Sequence, residues 1–125
     1  MKYYVKLKQN ISDMDQVKIS IDYSLGGYNN MTGQFNHRGY YLHFTPVKVN
    51  QFDNYSSEMT QLFHPKSYKM CICLVNRRSQ KKQDELEAIL KDNYRKMAEL
   101  YEEDDKKLYQ FVQLLYLGDE NDKKS

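Results

Sequence analysis

The sequence predicts an α+β domain: an antiparallel sheet of about four strands, followed by one long or two shorter C-terminal helices packed on one face. Up to residue 75, short segments alternate between apolar and polar residues with period two, or are apolar throughout. Beyond residue 79 the apolar residues recur at helical spacing. The chain of 125 residues is long enough for one core. We therefore expect a single domain over residues 1–118 and a disordered polar tail over residues 119–125.

Three segments show the alternation of half-buried strands. In the first, Tyr3, Val5 and Leu7 alternate with lysines, and residues 17–23 show the clearest alternation in the chain. Residues 38–44 form the third segment, which we expect to end or bulge at Pro46, or to lie at an edge, because proline removes a ladder donor.

A fourth strand is predicted over residues 68–75. It is apolar on both faces, which is typical of a central strand. Cys71 and Cys73 lie two residues apart in it, so we expect them on one face. A disulfide between them would be strained, and two thiols cannot close a zinc site alone. We interpret both cysteines as reduced and partly buried.

The helical part begins at Ser79, which suits an N-cap. Gly118 is a candidate for the end of the last helix. The acidic run over residues 102–105 leaves two interpretations open, a break between two helices or a solvated turn of one long helix.

Composition and charge limit the functional classes. The chain is 40% hydrophobic and 29% charged, which indicates a globular protein. It has no apolar run of membrane-spanning length and its first residues lack a signal-peptide core, so we expect a cytoplasmic protein without a membrane partner. The net charge of +2 hides a basic block over residues 63–82 and an acidic segment after it. This dipolar pattern does not favour bulk nucleic-acid binding.

Residues 26–44 are the best candidate for a ligand surface. The segment carries glycines, aromatic rings, two histidines and one arginine. A plain hairpin loop with positive φ at Gly26, Gly27 or Gly33 would also account for the glycines. As a ligand site it would combine ring stacking, amide contacts and a guanidinium fork for phosphate or carboxylate. The predicted ligand-binding residues are Tyr28, Asn29, Asn30, His37, Arg38, Tyr41 and His43.

A second candidate surface is the basic block, whose side chains would contact phosphates. A solvated corner between a strand and a helix is the alternative interpretation. The residues for possible phosphate or nucleic-acid contact are Lys66, Lys69, Arg77, Arg78, Lys81 and Lys82.

Catalytic and metal signatures are not evident in the sequence. His37, His43 and His64 have no metal-binding spacing, and no serine lies in a nucleophile elbow. We expect no metal and no cofactor, and we place an unrecognised hydrolase-type activity third among the functional hypotheses.

The segments YSLGGYN and RGYYLHFTPV, followed by CLVNRRSQKK and a helix, resemble small uncharacterised proteins of bacterial, phage or mobile-element origin. The resemblance implies a protein that binds and blocks, for example an anti-defence factor that sequesters a nucleotide signal or blocks a host protein. Our first hypothesis is thus a non-catalytic binding protein, expected to be a homo-oligomer, that acts through residues 26–44. The alternative is a nucleic-acid-associated regulator that uses residues 66–82.

Overall fold

The computed structural model describes residues 1–11, 13–31, 33–48 and 65–118. The predicted tail over residues 119–125 and His64 lie outside the described residues. The α+β architecture is confirmed: an antiparallel four-stranded sheet is followed by two C-terminal helices. The elements are β1 (Lys2–Ile11), β2 (Met14–Ser24), β3 (Gly27–Asn29), β4 (Gln34–Asn36), β5 (Gly39–Val47), β6 (Tyr68–Leu74), α1 (Gln80–Glu103) and α2 (Asp105–Tyr116).

The main sheet has the order β1-β2-β5-β6, and every neighbouring pair is antiparallel. Within the part of the chain that the structure describes, β3 and β4 pair only with each other and form a separate hairpin between β2 and β5. The register of β2 against β5 opposes Ile19 to Phe44 and Ile21 to Leu42. The odd residues of β2 and the even residues of β5 therefore share one face, as the alternation in the sequence predicts.

The core lies between that face and the two helices. Ile19 and Phe44 from the sheet are fully buried, as are Leu90 and Met97 from α1 and Leu108 from α2. Burial of a side chain of this size contributes about 1.5–3 kcal/mol, so this one-sided layer supplies the main hydrophobic stabilisation of the domain.

The structure corrects two expectations about the strands. Among the strands of the described residues, the fourth strand, β6, lies at the edge of the sheet and not in its centre. The third strand does not end or bulge at Pro46, because β5 continues to Val47 and Pro46 pairs with Val17 of β2. The last pair between β5 and β6 is Phe44 with Tyr68. Pro46 thus lies where β2 is the one described neighbour of β5, a position that tolerates a missing donor.

A bulge in β6 changes the placement of the cysteines. Tyr41 pairs with Cys71 and Tyr40 with Cys73, so one extra residue is inserted in β6. Because Tyr40 and Tyr41 face opposite sides of the sheet, the strict alternation that would put both cysteines on one face does not hold. Both thiols are free and partly buried. A Cβ at Gly39 would overlap the carbonyl oxygen of Cys73, so the bulge requires glycine there.

The helical segment consists of two helices. Ser79 is the N-cap of α1, and its hydroxyl accepts a hydrogen bond from the amide of Lys82 at 3.3 Å. Asp104 interrupts the helix in an extended conformation and caps α2 through the amides of Lys106 and Lys107. Gly118 follows α2 with a φ of 72°, as expected for a residue that terminates a helix.

Tyrosine hydroxyls fix the connection between β6 and α1. The buried hydroxyl of Tyr40 donates to the carbonyl of Ser79 at 2.9 Å and accepts from the amide of Ser79 at 2.9 Å. The hydroxyl of Tyr23 donates to the carbonyl of Val75 at 3.3 Å. The start of α1 is therefore held against the two central strands.

Tyr40→Phe is expected to lower the free energy of unfolding by about 1–3 kcal/mol, because the amide of Ser79 loses its buried acceptor. Urea unfolding followed by circular dichroism measures the change. Tyr109→Phe, which removes the same hydroxyl from an exposed residue of α2, is the matched control. Equal stability of the two variants would contradict the structural role of the Tyr40 hydroxyl.

Candidate functional site

The β3–β4 hairpin and its flanking residues (residues 25–31 and 33–38) present apolar side chains to solvent. Tyr28 pairs with Phe35 across the two strands, so both rings lie on one face of the hairpin. Leu25, Tyr28, Met31 and Phe35 are between 63% and 88% exposed. Asn29 lies in β3 opposite Gln34, and Asn30 is exposed in the turn. The hairpin is thus a projecting surface that carries two rings.

Glycine is required at the base of the hairpin. Gly26 has a φ of 77°, and a Cβ there would lie 2.7 Å from the carbonyl oxygen of Asn36. Gly27 and Gly33 also have positive φ values, of 119° and 70°. The predicted positive φ values are confirmed at all three glycines, and they are explained by the turn geometry alone.

Arg38 anchors the hairpin to the main sheet. Its Nε donates to the carbonyl of Leu25 at 3.1 Å, and its Nη1 donates to the carbonyl of Asn76 at 3.4 Å. Both acceptors are neutral, and no described carboxylate forms an ion pair with Arg38. The guanidinium thus has a structural role and also keeps an uncompensated positive charge at the surface.

Two open depressions meet at His37 and Arg38. One, of about 430 Å³, is lined by these two residues and by Leu74, Val75 and Asn76. The other, of about 390 Å³, lies on the hairpin side, where Phe35 forms part of the wall. The rings of Phe35 and His37 meet edge to face with their centroids 5.3 Å apart. Each depression is large enough for a small ligand.

The contact between Arg38 and Asn76 joins the hairpin to the basic residues that follow β6. Arg77, Arg78 and Lys81 are exposed, and none of them forms an ion pair with a described carboxylate. We call Arg38, Arg77, Arg78 and Lys81 the cationic corner. The first turn of α1 has no acidic residue, so the partial positive charge at the helix N-terminus adds to the potential there.

The sequence places no opposing charge in this region. The chain has no acidic residue between Asp22 and Asp53, and none between Glu58 and Asp84. Both segments that form the cationic corner lie inside these intervals. An anion at the corner would therefore meet cations without competition from neighbouring carboxylates of the same segments.

The other basic residues of the block are elsewhere. Lys66 lies at the opposite end of β6, where its Nζ is 3.0 Å from Oδ1 of Asp105. Lys69 lies on the face of the sheet opposite the two described helices, which we call the helix-free face. Its Nζ is 4.7 Å from the ring centroid of Tyr41. Lys82 pairs with Glu85 at 3.6 Å. The basic block is thus not one surface, and only its part after β6 joins the candidate site.

Tyr41 does not serve as an exposed contact. Its side chain is buried on the helix-free face, and its hydroxyl donates to the carbonyl of His37 at 2.6 Å. Burial raises the pKa of the Tyr41 phenol, and the neighbouring Cys71 thiol adds to that effect. Tyr41 therefore stabilises the backbone position of His37 through this hydrogen bond.

His43 is also separate from the hairpin. It lies on the helix-free face of the sheet, with its Nε2 3.8 Å from Oδ2 of Asp22. Burial lowers the pKa of the His43 imidazole, and Lys69 and Lys18 lower it further, while Asp22 acts in the opposite direction. His43 is therefore favoured in its neutral form in the folded protein.

Sequence reasoning missed Phe35 and Leu25. Both line the hairpin-side depression, and Phe35 faces the same way as Tyr28. Phe35 could have been found from its spacing to Tyr28. The two residues lie at equal distances from the centre of the turn, so a hairpin places them opposite each other on neighbouring strands.

Within the described residues, no three histidine, cysteine or acidic side chains converge on a possible metal site. None of the described helices is long and apolar enough to cross a membrane. Comparison with protein-family models, with curated proteins and with solved structures finds no match. The class of protein is therefore described from its fold and candidate site alone. It is an α+β domain with one described helical layer and an exposed surface of aromatic and cationic side chains.

His43→Gln is expected to flatten the dependence of stability on pH. Because folding lowers the pKa of His43, the unfolded chain binds a proton at this residue more readily than the folded protein does. The contribution of His43 to the free energy of unfolding is therefore fully present above pH ~6.5 and decreases as the pH falls below that value. Urea unfolding between pH 7.5 and 5 measures the slope. His37→Gln serves as the control, since it removes an exposed histidine. An unchanged slope in His43→Gln would show that this pH dependence arises elsewhere.

Proposed function

We propose that the protein is a non-catalytic binding protein for an anionic, ring-bearing ligand of the nucleotide class. The ligand would lie against the β3–β4 hairpin and the cationic corner. One observation carries the proposal: the hydrogen bond from Arg38 to Asn76 brings the hairpin rings and the arginines after β6 to the same end of the sheet.

The chemistry of the corner suits such a ligand. Guanidinium groups bind phosphate oxygens through paired hydrogen bonds. Arg77 and Arg78 are exposed, so their guanidinium groups are accessible to a phosphate. The ring of Phe35, with Tyr28 beside it on the same face, would stack on a base. The groups present are cations and rings, without a nucleophile held by an acid–base pair, which supports binding in preference to catalysis.

The biological role proposed here is sequestration. Cations and rings can hold an anionic, ring-bearing ligand, which fits the binding and blocking role that the resemblance to proteins of phage or mobile-element origin implies. A signalling nucleotide used in antiphage defence is such a ligand, and it would place the protein in the cytoplasm. Blocking of a host protein through the same exposed hairpin would be the outcome if nucleotides do not bind.

Arg78→Gln and Tyr28→Ala are each expected to weaken nucleotide binding about tenfold, by loss of a charge-assisted hydrogen bond and of a stacking contact. The probes are ATP and GTP, with adenosine as the uncharged counterpart, and the measurement is NMR chemical-shift titration. Adenosine should bind at least tenfold more weakly than ATP, because it offers no phosphate to the cationic corner.

Matched controls come from the far side of the molecule. Arg95→Gln removes an exposed arginine of α1 that stacks on Tyr94, and Tyr4→Ala removes an exposed tyrosine of β1, at the opposite edge of the sheet from β6. Neither should change the affinity. No shift with ATP or GTP at millimolar concentration would overturn the nucleotide proposal. Arg38→Ala is less informative, because the loss of its two carbonyl contacts would also loosen the hairpin.

A single-stranded nucleic acid is the second candidate. Lys81, exposed in the first turn of α1, extends the line of cations beyond the two depressions, as a strand with successive phosphates would need. For an oligothymidylate of ten nucleotides, Lys81→Gln should reduce the slope of log affinity against log salt by about 0.7. Absence of oligonucleotide binding at 50 mM salt would remove this candidate.

A further inference from the structure

The two depressions at the base of the hairpin have one guanidinium group between them. The wall of the hairpin-side depression includes Leu25, and the wall of the other, which we call the β6-side depression, includes Asn76. Arg38 lines both depressions. Its guanidinium donates to the carbonyl of Leu25 at 3.1 Å and to the carbonyl of Asn76 at 3.4 Å. The positive charge therefore lies on the boundary between the two depressions.

The Arg38 guanidinium keeps donors for a ligand. An arginine side chain has five N–H donors, and the described residues accept hydrogen bonds from two of those of Arg38. Both acceptors are neutral carbonyls, so they do not cancel the charge. A phosphate group matches the remaining donors and the charge of such a planar fork. A phosphate bound at this boundary would be adjacent to both depressions.

Each depression also offers a surface for a ring. On the hairpin side, Phe35 forms part of the wall, and Gly26 and Gly27 contribute no side chain, so a flat group can approach the backbone closely. On the β6 side, Leu74 and Val75 form an apolar wall, and the Leu74 side chain is 63% exposed. A ligand with a single ring would occupy one of these surfaces and leave the other in contact with water.

We propose that the ligand is a dinucleotide, two nucleosides joined through phosphate, with one base in each depression and the phosphate link at Arg38. This inference rests on the proposed function and narrows its ligand class. The depressions have similar volumes, about 390 and 430 Å³, so they suit two groups of the same kind. In a dinucleotide the two bases lie on either side of the phosphate. The structure has the same order: a ring surface, a cation and a second apolar surface.

Isothermal titration calorimetry on the whole protein tests the inference with two pairs of probes. Diadenosine diphosphate is compared with ADP, and adenylyl-adenosine, which has one phosphodiester link, is compared with AMP. At pH 8 the single-ring member of each pair has the larger negative charge, so charge alone would favour it. We expect at least one dinucleotide to bind tenfold more tightly than its single-ring counterpart, with one molecule per chain, because its second base gains a contact in the β6-side depression.

Leu74→Ser assigns the second base to the β6-side depression. It should weaken binding of the dinucleotide about tenfold and leave the affinity for the single-ring counterpart unchanged, since the base of that counterpart lies against the hairpin. Leu114→Ser is the matched control, because it removes an exposed leucine of α2 that lines neither depression. It should change neither affinity. Circular dichroism melting verifies the fold of both variants.

The outcomes separate this inference from the proposed function. If neither dinucleotide binds more tightly than its counterpart, or if Leu74→Ser weakens both members of a pair equally, the dinucleotide inference is wrong. Binding of ADP that is weakened by Tyr28→Ala would then still support the proposed function. Binding of two dinucleotide molecules per chain would also overturn the inference. Absence of binding for all four probes at millimolar concentration would overturn both proposals.

Discussion

The clamp on residues 75–79 is the constraint on which the rest of the structure depends. Three side chains from the two central strands and the hairpin base hold this short segment: Tyr23 bonds Val75, Arg38 bonds Asn76 and Tyr40 bonds Ser79 twice. The clamp decides where α1 begins relative to the sheet, and so which helix face covers the core. It also places Arg77 and Arg78 beside the hairpin, so the same bonds that order the fold assemble the candidate site.

Tyrosine performs similar work at the opposite end of β6. The hydroxyl of Tyr68 donates to Oδ2 of Asp105 at 2.7 Å, and that of Tyr101 donates to the carbonyl of Lys66 at 2.7 Å. The Tyr68 hydrogen bond, with the Lys66 ion pair, lowers the pKa of Asp105. Together with the Tyr101 bond, it fastens the start of β6 to the junction of the two helices. The twelve tyrosines of the chain thus include many that link elements through a buried ring and a bonded hydroxyl.

Local signals in the sequence predicted the strands of the main sheet and the helical segment, but not strands β3 and β4 or the arrangement of the elements. The alternation in β1, β2 and β5, the cap at Ser79 and the glycine conformations depend on neighbouring residues, and each was predicted correctly. The edge position of β6 depends on sheet order, which no local period encodes. Tyr41 was expected on an open surface because alternation gives the face of a residue, not what covers it.

The candidate site shows the same division. Tyr28, His37 and Arg38 were predicted from one segment and lie on the hairpin or at its base. That they lie at the same end of the sheet as Arg77 and Arg78 was not predicted. Arg38 and Asn76 are 38 residues apart in the chain and are joined by one hydrogen bond. Lys66 and Lys69, close to Arg77 in sequence, are separated from it by the length of β6, about 3.3 Å per residue.

The charge around the hairpin indicates what kind of partner its apolar surface suits. The hairpin exposes large apolar side chains, which lowers solubility unless they are used. The surrounding charge is positive and no acid occurs in either contributing segment, so an anion with a ring is the complementary partner. Apolar exposure alone would suit any apolar partner, whereas the surrounding cations favour an anionic one.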